Sequence, residues 1–126
     1  MSIYAQLYVP EAPGRRPAVI YSHGFGGSPS SLSDGTTTEM SIFTELADLN
    51  AVIDAVSALS FVDAENVFLL GASQGGAVSA LAAAGRPEEV RGLILLYPAF
   101  VLVDDANERY QSAEDIPDTT FFMWMD

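Results

Sequence analysis

Gly71-Ala72-Ser73-Gln74-Gly75 fits the pattern G-x-S-x-G. It stands directly after the apolar run Asn66–Leu70 and before a segment rich in small residues, about Gln74 to Ala84. Strand, motif, helix is the context in which such a serine is held on a sharp turn with its hydroxyl free. The chemistry this would allow is acyl transfer. The hydroxyl attacks a carbonyl carbon, and unpaired N–H groups at the helix start face the developing oxyanion. A glycine-rich strand-to-helix turn without chemistry would carry the same letters, but the flanking elements favour the reactive reading.

A second motif, His23-Gly24-Phe25-Gly26-Gly27, follows the short apolar run Ala18–Ser22. A glycine-rich turn at a strand end can aim a backbone N–H into the same cleft. The competing reading, a dinucleotide fingerprint, is the weaker one, because Pro29 stands where the third glycine belongs and no helix opens directly. His23 is the only histidine of the chain. It is either a general base or, as histidines more often are, a packed residue that orders its loop.

The elements that must position these motifs are readable from periodicity. Ala18–Ser22 is continuously apolar, as a strand buried on both faces is. Ile42, Leu46, Leu49, Ile53 and Val56 mark one face of a helix from about Thr38 to Leu59, with Thr36 and Glu39 fitting a capping box. Asn66–Leu70 is a second buried strand, the helix after Ser73 ends at Gly85 as its C-cap, and Val90–Tyr97 is a third strand stopped by Pro98. Ile3–Val9 is a further strand candidate, and a short acidic helix is expected near Asp104–Tyr110. Strand, helix, strand, helix, strand predicts a mostly parallel α/β sheet with right-handed crossover helices. In such sheets reactive residues gather at the carboxyl ends of the strands, where both motifs fall.

Composition narrows the function. The chain has 126 residues, 17 acidic and 5 basic, for a formal net charge of −12. All five basic residues are arginines, so nucleic-acid binding is not expected and a P-loop lysine has no candidate. There is no cysteine, which removes thiolate metal sites and cysteine nucleophiles. No His/Asp/Glu cluster has metal-ligand spacing, and no metal or cofactor is expected. The pairs Glu88-Glu89, Asp104-Asp105 and Glu114-Asp115 read as solvated faces rather than as glycosidase carboxylates. The longest apolar stretch, Gly92–Val103, is too short for a membrane span, and no leader is visible. The expectation is a single soluble, cytoplasmic domain.

HGFGGS, LLGASQGG and GLILLYPAF together resemble the α/β-hydrolase superfamily, and more closely the bacterial cinnamoyl/feruloyl esterases and serine aminopeptidase-like hydrolases. The likeness extends from Ile3 to about Met125. It implies that Ser73 is the acylated nucleophile and that the backbone N–H groups of Phe25 and Gln74 form the oxyanion hole. It also implies that His23 and Gly24 border the substrate, and that residues 99–126 begin a lid. Tyr97, Pro98 and Phe100 would then help to line an acyl or aryl pocket. The substrate class implied is a small-molecule carboxylic ester.

The sequence departs from that family in three respects. A helix and a strand expected after HGFGG are missing, the chain starts at what resembles the family's second strand, and it stops in the lid region. No histidine follows Ser73, although the family's order is serine, acid, histidine. The expectation is therefore a truncated α/β-hydrolase core, one partial domain over residues 1–126, with feeble or no turnover. A non-catalytic binding module or a gene fragment that keeps the fold is the alternative. With one helical layer missing, one sheet face should stay open and favour self-association.

Overall fold

A computed structural model describes residue 3, residues 5–24 and residues 41–115. Three parallel strands, β1 (Arg16–Ser22), β2 (Val62–Ala72) and β3 (Val90–Leu96), form one sheet in the order β1-β2-β3. Helix α1 (Ile42–Ser57) connects β1 to β2, and α2 (Gln74–Gly85) connects β2 to β3. A third helix, α3 (Leu102–Arg109), follows the sheet. The described residues contain no helix long and apolar enough to cross a membrane. This is the parallel α/β sheet with crossover helices that the sequence predicts.

The order of strands decides where the helices go. The sheet winds in one direction, so two crossovers of the same hand lay both helices on one face. The core lies there: Leu49 and Ile53 of α1 and Val78 and Ala82 of α2 pack on Ile20, Val67, Leu69 and Val90. Ile53, Val67 and Leu69 are fully buried, and truncating such a residue to alanine typically costs about 2–5 kcal/mol. Along the strands, the rows Val19–Phe68–Gly92 and Tyr21–Leu70–Ile94 point the other way. Val19, Tyr21, Ile94 and Leu96 are exposed there. Among the described residues Ala18–Ser22 is covered on one face only, whereas its composition predicts burial on both.

Other expectations change at their edges. Residues 5–9 pair with no strand, and Leu7, Tyr8 and Val9 are exposed. Thr36 and Glu39 lie outside the described residues. The cap of α1 is Ser41, whose hydroxyl accepts the Thr44 N–H at 3.1 Å, while the Thr44 Oγ1 accepts the Ser41 N–H at 2.9 Å. Gly85 is the last residue of α2, and Arg86 takes the cap position. Its guanidinium donates to the Asn50 carbonyl at 2.9 Å and pairs with Asp54 and Glu89, tying α2 to α1. Both carboxylates raise the Arg86 pKa further, Glu89 more than Asp54.

Candidate functional site

β2 ends at Ala72 and α2 starts at Gln74, so Ser73 alone makes the turn between them. Its backbone has φ +52° and ψ −122°, a conformation that glycine adopts freely and an L-serine only under strain. The surroundings hold it there. The Ser73 N–H donates to the Leu96 carbonyl at 3.0 Å, the last residue of the adjacent strand. The Ser73 carbonyl accepts three N–H groups, from Gly76 at 3.0 Å, Ala77 at 3.3 Å and Ala99 at 2.9 Å.

Two glycines allow the close approach. An added Cβ on Gly71 would lie 2.6 Å from both the Gly75 carbonyl oxygen and the Gly76 Cα. On Gly75 it would lie 2.3 Å from the carbonyl oxygens of Ser22 and His23. Helix α2 therefore begins in direct contact with the end of β1. The second motif reaches the serine in the same way, since a Cβ on Gly24 would lie 2.8 Å from the Ser73 Cβ and 3.4 Å from its Oγ. The structure thus brings His23, Gly24, Ser73 and Gln74 to one corner, at the carboxyl ends of β1 and β2.

His23 is half-buried, and its Nδ1 donates to the Gly24 carbonyl oxygen at 2.8 Å. That assignment leaves Nε2 as the unprotonated nitrogen of the neutral ring. The Gly24 carbonyl belongs to the same peptide unit as the N–H of Phe25, which lies outside the described residues. The side chain of Gln74 is engaged away from the serine, its Nε2 donating to Glu45 Oε2 on α1. Glu45 carries no motif, and a pair 29 positions apart leaves no local signal in the sequence. The same holds for Leu96 and Ala99, whose contributions are backbone groups.

Beyond β3 the chain turns through Tyr97, which also has positive φ, +39°. Tyr97 is 78% exposed. An apolar groove of about 280 Å³ is lined by Ile42, Ala77, Ala80, Leu81, Ala99, Phe100 and Leu102, of which Ala77 and Ala99 donate their N–H groups to the Ser73 carbonyl. Phe100 is in this lining, while Tyr97 and Pro98 are not. Pro98 instead packs on α2, where a Cβ added to Gly76 would meet its Cβ at 2.9 Å. Among the described residues no three His, Cys, Asp or Glu side chains converge as a metal site would require.

A one-way parallel sheet with crossover helices and a strained serine at a strand end defines the class as an α/β-hydrolase. The chain belongs to the Hydrolase_4 family, serine aminopeptidase S33, whose family model matches residues 13–122. Solved structures agree. Est1E from Butyrivibrio proteoclasticus with ferulic acid bound is 27% identical with a TM-score of 0.70, over 76% of this chain and 48% of that one. Another structure of Est1E from Butyrivibrio proteoclasticus is 27% identical with a TM-score of 0.64, over 75% and 46% of the two chains. The chain spans less than half the length of these structures. No curated protein gives a match.

Proposed function

We propose that this chain carries the nucleophile half of a serine hydrolase for carboxylic esters, with Ser73 as the acylated residue. The observation that carries the proposal is the strained Ser73 backbone, held by four hydrogen bonds at the start of α2 and against Gly24. A glycine would fill that turn without strain, so keeping a hydroxyl there is explained by its use.

In the proposed reaction the Ser73 Oγ attacks the ester carbonyl and loses its proton to a base. The alkoxide leaves with a proton, and water then releases the acyl group. The Gln74 N–H is the first amide of α2, where no carbonyl four residues back can accept it, and it is free to face the oxyanion. The Phe25 N–H is the second donor. His23 supports it indirectly, because its Nδ1–H fixes the carbonyl side of the same peptide unit. The apolar groove lined by Ala77, Ala99 and Phe100 is the candidate for an acyl or aryl group, and the bound ferulic acid of Est1E supports an aromatic acid as one candidate.

Ser73 makes no hydrogen bond to His23 among the described contacts, and His23 is the only histidine. Turnover by this chain alone is therefore expected to be feeble. Loss of the base removes most of the rate, while oxyanion donors and binding can retain ~10³–10⁴ over water. That same observation favours a second reading, a non-catalytic module that keeps the cleft. A fluorophosphonate probe with mass spectrometry separates the two. Slow labelling confined to Ser73 and absent in Ser73→Ala supports the hydrolase reading. An unmarked serine supports the binding module. Rapid p-nitrophenyl ester hydrolysis that survives Ser73→Ala would overturn the assignment of the nucleophile.

A further inference from the structure

We propose that Glu45 is a positioning residue for the oxyanion donor at Ser73: through the side chain of Gln74 it steadies the peptide unit that carries the Gln74 N–H. The inference rests on the reading of Ser73 as a nucleophile. The Ser73 carbonyl and the Gln74 N–H belong to one planar peptide unit, so whatever grips one aims the other. The oxygen of that unit accepts N–H groups from Gly76, Ala77 and Ala99, and its leading end is held where the Ser73 N–H donates to Leu96. At the trailing end the Gln74 side chain reaches across to α1, where its Nε2 donates to Glu45 Oε2.

The start of α2 needs such a hold from outside. Ser73 occupies its N-cap position but, among the described residues, makes no side-chain cap hydrogen bond. The hydroxyl stays free for chemistry, and the helix end lacks its usual anchor. Gly75 and Gly76 follow, and glycine is a poor helix former, so the first turn has little stiffness of its own. The Gln74–Glu45 bond is half-buried and its acceptor is a carboxylate, which makes it stronger than a neutral, solvated one. A second tie, from Arg86 to the Asn50 carbonyl and to Asp54, joins the same two helices at the far end of α2. With 12 residues in α2, the two ties are ~18 Å apart, and only the first lies at the serine.

The test is the rate at which a fluorophosphonate probe labels Ser73, with Tm measured on the same samples. In labelling, the Ser73 Oγ–P bond forms, fluoride leaves and the hydroxyl proton passes to water. Negative charge develops on an oxygen facing the Gln74 N–H, as it would in acyl transfer. Complete loss of such a donor typically costs ~10²–10³, and a donor that has lost only its aim should cost about 10-fold. Glu45→Leu and Gln74→Leu should each lower the limiting labelling rate by about that factor, with the half-saturating probe concentration unchanged. Glu45→Gln keeps an acceptor oxygen and should label within about 2-fold of the parent chain. Arg86→Leu removes the distant tie, and should lower Tm without changing the labelling rate. An acid that only suits the α1 dipole from the first turn would affect Tm and not labelling. Should Glu45→Leu lose its helical circular dichroism, Gln74→Leu carries the comparison. Unchanged labelling in the leucine variants would overturn the proposal while leaving Ser73 the nucleophile. So would an equal loss in Arg86→Leu, or a Glu45→Gln variant as slow as Glu45→Leu. A parent chain that is not labelled at all removes the nucleophile reading, and this proposal with it.

Discussion

Gly75→Ala sets two opposing effects against each other in α2. Alanine in a helix is worth about 1 kcal/mol over glycine, so propensity alone favours the change. The new methyl, however, would sit 2.3 Å from the carbonyl oxygens of Ser22 and His23, where real contacts essentially never fall below 3.0 Å. Relief needs a displacement of about 0.7 Å, and both obstacles are backbone at the end of β1, where Ser22 is in register with Gly71. Overpacking costs typically 1–3 kcal/mol, with the upper end expected where backbone must move. The net is about 2 kcal/mol of destabilisation, or a loss of roughly 10 °C in Tm for a chain of this size. Gly85→Ala is the matched control, since nothing lies within 4 Å of its added Cβ and its φ is not positive. It should gain up to about 1 kcal/mol. Urea and thermal unfolding followed by circular dichroism measure both. A Gly75→Ala protein as stable as Gly85→Ala would refute the close packing of α2 on β1.

Three further outcomes follow from the same geometry. Ser73→Gly should be more stable than Ser73→Ala by about 1 kcal/mol in urea unfolding, because glycine relieves the positive φ that alanine keeps. Asp48 has a buried, unpartnered Oδ1, and burial pushes its pKa upward. An acid with a raised folded-state pKa costs stability above that pKa and costs nothing below 3.8, where both states are protonated. Asp48→Asn should therefore raise Tm at pH 7, with the advantage shrinking as pH falls through the Asp48 pKa. Asp63 is the opposite case, held low first by the Asn66 side chain and then by the Glu65 N–H. It favours the fold above pH 3.8 and loses that effect as pH falls through its lowered pKa, so Asp63→Asn should flatten the acid limb of a pH–stability curve.

The regular elements were legible because their signals are local. The stripe Ile42, Leu46, Leu49, Ile53, Val56 needs only helical spacing, and Gly71 and Gly75 announce a tight corner wherever they flank a serine. What escaped depends on neighbours. Ile3–Val9 has strand composition, but composition alone does not fix pairing, and residues 5–9 pair with no described strand. Gly85 has the chemistry of a C-cap, yet Arg86 takes that position and is tied to Asn50 and Asp54 on another helix. In the candidate site, Ser73, Gly24 and Gln74 were readable from motifs. Glu45, Leu96 and Ala99 were not, because they act through a distant side chain or through main-chain groups that every residue possesses. Of Tyr97, Pro98 and Phe100, which the family resemblance suggests as pocket residues, Phe100 lines the apolar groove, while Tyr97 stands exposed on a positive-φ turn that no local sequence signal announces.

The carbonyl of residue 73 ties together pieces of chain that become ordered at different moments. Gly76 and Ala77 are its near neighbours, but Ala99 lies beyond the last strand, as does the lasting shape of the bend it helps to lock. The Ser73 corner consequently is not fixed by local contacts alone. It is set only when the third strand has docked, giving the Leu96 carbonyl, and the chain has doubled back to bring up the Ala99 N–H.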